Sequence, residues 1–97
     1  MEKKLQEVIE DNVYEIKVSK SVTGRYEVGA MYTYDSDYGI QTSAVYVSRD
    51  FETEKVTCQS IHTSKHHVSA ETLKPAKDFC KSLFKKLEAS EELFEVL

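Results

Sequence analysis

From Arg25 to Tyr34 the chain alternates: Tyr26, Val28, Ala30, Tyr32 and Tyr34 fall on one side, and Arg25, Glu27, Gly29, Met31 and Thr33 on the other. A repeat of two matches a β-strand, whose successive side chains point to opposite faces, and does not fit one face of a helix. Such a strand must find partners for its backbone N–H and C=O groups. Tyr14, Ile16 and Val18 alternate with Glu15, Lys17 and Ser19 to give a first partner, and Val22-Thr23-Gly24 supplies the turn between them. Asp35-Ser36-Asp37-Tyr38-Gly39 is dense in turn formers, so Ile40–Ser48 is a third strand and the three form an antiparallel meander. In the third strand Ile40, Ala44 and Tyr46 occupy one side while Val45 and Val47 occupy the other, which marks it as central or covered on its second face.

The flanks follow other periods. Leu5, Val8 and Ile9 stand at i, i+3 and i+4, predicting a short amphipathic helix from about Glu2 to Glu10, ended by Asp11-Asn12 and docked on the sheet because two or three turns do not hold alone. Residues 50–63 are ambiguous. Val56, Cys58 and Ser60 alternate with Thr57 and Gln59 as a fourth strand would, whereas Phe51, Cys58, Ile61 and His62 share a helical face; the β-branched residues favour the strand. Leu73, Ala76, Cys80, Leu83, Phe84 and Leu87 form one helical stripe, flanked by Phe79 and extendable through Phe94 and Leu97. Ser69 or Thr72 can cap this helix, and Pro75 fits its first turn, so it is expected to start near Thr72 or Lys74. The expected fold is therefore α+β: a three- or four-stranded antiparallel β-meander with a short N-terminal helix and a long C-terminal amphipathic helix packed on the sheet. All 97 residues fit one compact domain, 1–97.

Composition narrows the function. Hydrophobic residues at 40% and charged residues at 31% place the chain outside the regime of disorder. A net charge of −4 and a pI near 5.4 weigh against a surface that coats nucleic acid or anionic lipid. No apolar run approaches the ~20 residues of a membrane span, and Met1–Glu7 lacks the apolar core of a signal peptide, so a cytoplasmic protein with no membrane partner is expected. Cys58 and Cys80 are too few and too far apart for a disulfide framework and are read as free thiols.

Motifs for chemistry are weak. Cys58, His62 and His66 would share a face if their segment were helical, but a structural zinc site needs four ligands, and His62-Thr63-Ser64-Lys65-His66-His67 has the composition of a polar loop. Asp35-Ser36-Asp37 opens like a calcium loop, yet Gly39, Ile40 and Tyr46 stand where that loop requires an oxygen ligand, a glycine and a bidentate glutamate. There is no G-x-S-x-G and no phosphate-cradling glycine loop. Cys80 lies on the apolar stripe, and Cys58 with His62 would act as a thiolate pair only if folding brought them into contact. The expectation is a protein that is not an enzyme, with no catalytic residues, no metal site and no cofactor.

Six tyrosines, Tyr14, Tyr26, Tyr32, Tyr34, Tyr38 and Tyr46, give more aromatic surface than a small core needs. The expected function is a small protein-binding module, accessory, regulatory or inhibitory, that acts through a tyrosine-rich sheet surface with Tyr32, Tyr34, Tyr38 and Tyr46 as anchors. The competing arrangement packs Tyr26, Tyr32 and Tyr34 under the last helix. An alternative function follows charge: between Lys55 and Lys86 seven lysines face only Glu71 and Asp78, whereas Glu88–Leu97 carries four glutamates and no base. Lys74, Lys77, Lys81 and Lys85 span about 80° beside the apolar stripe, a ridge suited to phosphates in a nucleic-acid-associated factor or, more plainly, a solvated face. With only Arg25 and Arg49 for bidentate base contacts, nucleic acid is the less favoured partner. A third reading is a metal- or thiol-dependent protein using Cys58 and the histidines of 62–67. The apolar Leu93, Phe94, Val96 and Leu97 are expected to dock on a second chain as readily as on their own, so the reading leans to a homodimer over a monomer.

Overall fold

The computed structural model describes residues 1–97. Five strands, β1 (Glu2–Ile9), β2 (Asn12–Lys20), β3 (Tyr26–Ser36), β4 (Gly39–Arg49) and β5 (Val56–His62), precede two helices, α1 (Ala70–Ala89) and α2 (Glu91–Val96). Each strand pairs antiparallel with the next, so the sheet order is the chain order. The α+β class and the antiparallel meander agree with the alternation; the count of strands and the first element do not.

Residues 2–9 are a strand, not the expected helix. Ile9 pairs with Asn12 across a hairpin in which Glu10 and Asp11 both take positive φ, 50° and 67°, the conformation of a two-residue primed turn. Leu5 and Ile9 then pack on the core, while Val8 points away from it. A helix this short gains little on its own, whereas the ladder with β2 pairs one side of the backbone from Glu2 to Ile9. Residues 56–62 do form the additional strand. It is reached through a turn in which the Asp50 carboxylate accepts N–H bonds from Glu52 and Thr53 at 2.9 and 2.8 Å, and Glu54 takes φ 60°.

Helix α1 begins earlier than expected because Ser69 is its cap, its Oγ accepting from the Thr72 N–H at 3.2 Å. Pro75 consequently sits in the second turn, where it withholds an N–H from the Glu71 carbonyl. The helix lies over β3 and β4. Leu73, Ala76, Cys80, Phe84 and Leu87 close on Ile16, Val18, Val28, Ala30, Val45 and Val47 to make the core. No helix is long and apolar enough to cross a membrane.

The C-terminal segment is held on its own chain through Phe94, while Val96 stays 78% exposed. Phe94 is fully buried, its ring 6.0 Å from Tyr26 and beneath the Lys3 and Lys20 ammonium groups at 5.0 and 5.8 Å. Lys3 Nζ also donates to the Glu95 carbonyl at 3.0 Å, so α2 is docked on its own chain.

At the end of α1, Arg49 grips Glu88 with a two-pronged fork, Nη2 to Oε1 at 2.6 Å and Nε to Oε2 at 3.0 Å. The hydrogen bonds from Arg49 hold the Glu88 carboxyl below its usual range. A depressed carboxyl pKa means that the pair stabilises above the ordinary carboxylate pKa and that this contribution disappears as pH falls through the folded value. Glu88→Gln is therefore expected to lower Tm modestly at pH 7, since the pair is one-third exposed, and to lower it less at pH 3. Thermal melts at the two pH values check this.

Candidate protein-binding surface

Because α1 covers one face, the alternation leaves the other face of the sheet bare. Register places Gln6, Glu15, Met31, Ala44 and Ile61 in one row across all five strands, and Lys4, Lys17, Gly29, Tyr46 and Gln59 in the next. Gly29 shapes this surface. A Cβ there would lie 2.9 Å from Cδ1 and Cε1 of Tyr46, so the ring lies flat against the backbone of β3 instead of standing up from the sheet. Ala44 keeps the neighbouring row low. The result is a plateau on which Ile40, Ile61 and Met31 are 73%, 57% and 38% exposed beside the half-buried Tyr46. Toward β1 the bare face becomes ionic, and its charges answer one another: Lys17 to Glu2 at 3.4 Å, Lys4 to Glu2 at 3.8 Å and Lys4 to Glu15 at 4.0 Å.

The four tyrosines singled out in the sequence do not share this surface. Tyr46 pairs with Gly29, so it faces away from α1, whereas Tyr32 and Tyr34 have the opposite parity and face the helix side. Tyr32 lies 5.2 Å from the buried Tyr14 and 5.2 Å from Tyr34, and its hydroxyl donates to Asn12 Oδ1 at 3.3 Å. Burial, and next the neighbouring Tyr32, push the Tyr14 hydroxyl pKa up. The Tyr34 hydroxyl donates to the His66 carbonyl at 3.2 Å. Tyr38, at the tip of the β3–β4 hairpin and 64% exposed, stacks on the His66 ring at 3.7 Å. Tyr32, Tyr34 and Tyr38 thus gather at one end of the sheet beside the start of α1, and Tyr46 stands on the plateau. Met31, Ile40 and Ile61 were not singled out as contact residues in the sequence; for Met31 and Ile61 the signal was an apolar residue on a strand side that is otherwise polar.

Cys58 is not brought to the histidines, although His62 and His67 stack on each other. On a strand, Cys58 and His62 are separated by about 13 Å at ~3.3 Å per residue, which undoes the helical spacing that made them attractive. His66 is occupied by Tyr38, and no group of three or more His, Cys, Asp and Glu side chains converges on one point. His62 Nδ1 and Ser43 Oγ are 2.8 Å apart, but Ser43 is completely buried and beyond the reach of a substrate. Partial burial, then His67 stacked at 3.8 Å and Lys77, lower the His62 pKa.

Of the lysine ridge, Lys74 is paired with Asp78 at 2.9 Å, while Lys77, Lys81 and Lys85 have no carboxylate within 4.0 Å. Helix periodicity puts Lys77, Lys81 and Lys85 on the same side of α1 as Glu88, and the grip of Arg49 on Glu88 turns that flank toward the β4–β5 side of the sheet. A cleft of about 480 Å³ at the opposite end from Tyr38 is lined by Lys20, Arg25, Arg49, Glu54 and Glu88 among others. Its guanidinium groups are already engaged, Arg25 with Glu54 at 2.9 Å and Arg49 with Glu88, and the Lys20 ammonium lies over the Tyr26 and Phe94 rings at 5.7 and 5.8 Å.

Comparison with protein-family models, with curated proteins and with solved structures finds no match to this chain. Function has to be read from the surface itself.

Proposed function

We propose that this protein is a non-enzymatic binding module that seats a flat apolar face of another protein on the bare side of its sheet. Tyr46 is the central anchor, Met31 and Ile61 flank it, and Ile40 extends the contact along the β3–β4 hairpin. The observation that carries this reading is the plateau, in which Gly29 and Ala44 flatten the sheet so that large apolar side chains lie exposed together in place of the hydroxyls and charges expected there. Aromatic and methionine side chains are the groups that desolvate well at protein contacts, and the paired charges toward β1 supply a polar rim. A partner that brings its own sheet would sit about 10 Å away, with side chains from both faces interleaved.

The test compares the wild-type chain with Ile61→Lys and Met31→Lys as bait in lysate of the source organism, with nuclease treatment and a high-salt wash. Both positions are exposed, so stability should change by no more than about 0.5 kcal/mol. A stoichiometric protein retained by the wild type and lost by both variants is the expected result. A second copy captured in this way would make the module a homodimer through the same face. Equal retention by the variants would overturn the assignment, and so would captured nucleic acid that high salt removes, which would favour the lysine ridge.

A further inference from the structure

We propose that the free edge of β5 accepts an extended acidic peptide as a sixth strand of the sheet, a second contact independent of the bare face. The ladder bonds at the two ends of the β4–β5 pair, Asp50 N–H to Lys55 carbonyl at 2.7 Å and Thr63 N–H to Thr42 carbonyl at 3.0 Å, fix its phase. Antiparallel alternation then turns Thr57, Gln59 and Ile61 toward β4 and directs the N–H and C=O groups of Val56, Cys58, Ser60 and His62 outward, where no strand meets them.

Exposed edges are ordinarily guarded by charge, proline or a bulge, and the two edges of this sheet differ in that respect. On β1, Glu2, Lys3, Lys4 and Glu7 are charged, and Lys3 is further held by the carbonyl of Glu95. Val56-Thr57-Cys58-Gln59-Ser60-Ile61-His62 contains no acidic residue, lysine, arginine or proline, and its register with β4 runs without a bulge. This is the uncharged edge of a chain in which 31% of residues are charged.

Charge specifies the occupant. Helix periodicity puts Lys77, Lys81 and Lys85, which lack carboxylate partners, on the side of α1 where Arg49 of β4 holds Glu88 at 2.6 Å, while the other side of the edge carries only Thr57, Gln59 and Ile61. A strand entering here meets cations with the side chains on its helix side and neutral or apolar groups with those on its bare side. Alternating acidic and apolar residues satisfy both, and the backbone supplies the ladder. A second copy fits less well, because antiparallel pairing of two β5 edges brings two lysine ridges together.

The probe is a blocked nine-residue peptide of alternating valine and glutamate, titrated into the full chain with amide hydrogen exchange read by NMR. Binding should slow exchange at Cys58, Ser60 and His62 at least tenfold. Lys77→Glu with Lys81→Glu should weaken binding at least tenfold. Ser60→Pro, which removes an outward N–H and leaves the β4 ladder intact, should abolish it. Met31→Lys should bind the peptide as the wild type does, which keeps this edge distinguishable from the bare face. The proposal is overturned by no binding at millimolar peptide, by equal affinity for a valine–lysine peptide, or by undiminished binding to both edge variants. It is likewise overturned if β5 pairs with β5 of a second copy, or if a single-stranded oligonucleotide displaces the peptide and binds the ridge without protecting β5 amides.

Discussion

Phe94→Ser is expected to destabilise the protein by about 3–5 kcal/mol and to leave its mass in solution unchanged. The ring is fully buried between Tyr26 and the ammonium groups of Lys3 and Lys20, so the substitution removes an aromatic side chain from the core and puts a hydroxyl in its place. Helix α2 has only six residues and cannot persist without that anchor, so the bond from Lys3 to the Glu95 carbonyl should go with it. For a domain of this size each kcal/mol corresponds to roughly 4–8 °C, so Tm should fall by more than about 12 °C. Urea denaturation and light scattering on the same samples decide the matter. An unchanged midpoint accompanied by a change in mass would mean that the tail is a contact between chains after all.

The two thiols should differ in reactivity by more than a hundredfold. Cys80 has no exposed surface, and burial, followed by the proximity of Cys58, pushes its thiol pKa up to about 12. At pH 8 a thiol with that pKa is ionised in only about one molecule in 10⁴, and the thiolate is the reacting species. Cys58 lies half-buried on the edge strand and is open to reagents. Iodoacetamide at pH 8 should modify Cys58 first and reach Cys80 only through unfolding, which peptide mapping over a time course will show. The same shift carries a stability consequence of defined sign. A raised thiol pKa gives stability that is intact below the ordinary thiol value and is lost as pH rises from about 9 toward about 12. Labelling of both thiols at similar rates in the native protein would contradict the packing of α1 on the sheet.

Residues 14–48 declared themselves because each strand there has one face in the core and one outside it, which writes a clean period of two into the sequence. β1 lacked that signature. Its core-facing positions are Lys3, Leu5, Glu7 and Ile9, two of them charged, because an edge strand under the margin of a single helix is only half covered. What remained visible was Leu5, Val8 and Ile9, whose spacing also suits a helix. The plateau was hidden for a different reason. Parity within a strand is legible, but which faces coincide depends on register, and the turn-rich stretch from Asp35 to Gly39 allows several. Once Asp37 and Tyr38 are the two turn residues, Ser36 meets Gly39, Gly29 must meet Tyr46, and Tyr46 is parted from Tyr32 and Tyr34. The free edge of β5 was out of reach as well, because nothing within 56–62 says that no further strand will join it.

Since every strand pairs only with its sequence neighbour and the covering helix comes last, the order of synthesis matters to this chain. The hairpins can zip one after another as residues emerge, each closing a short loop, which favours rapid and local assembly. Until Leu73 through Leu87 have followed, however, Val28, Ala30, Val45 and Val47 have no cover, and the nascent sheet presents grease on the side that will become its interior. The interval between the last strand and the last turn of α1 is therefore when a stalled or truncated product would stick to its neighbours.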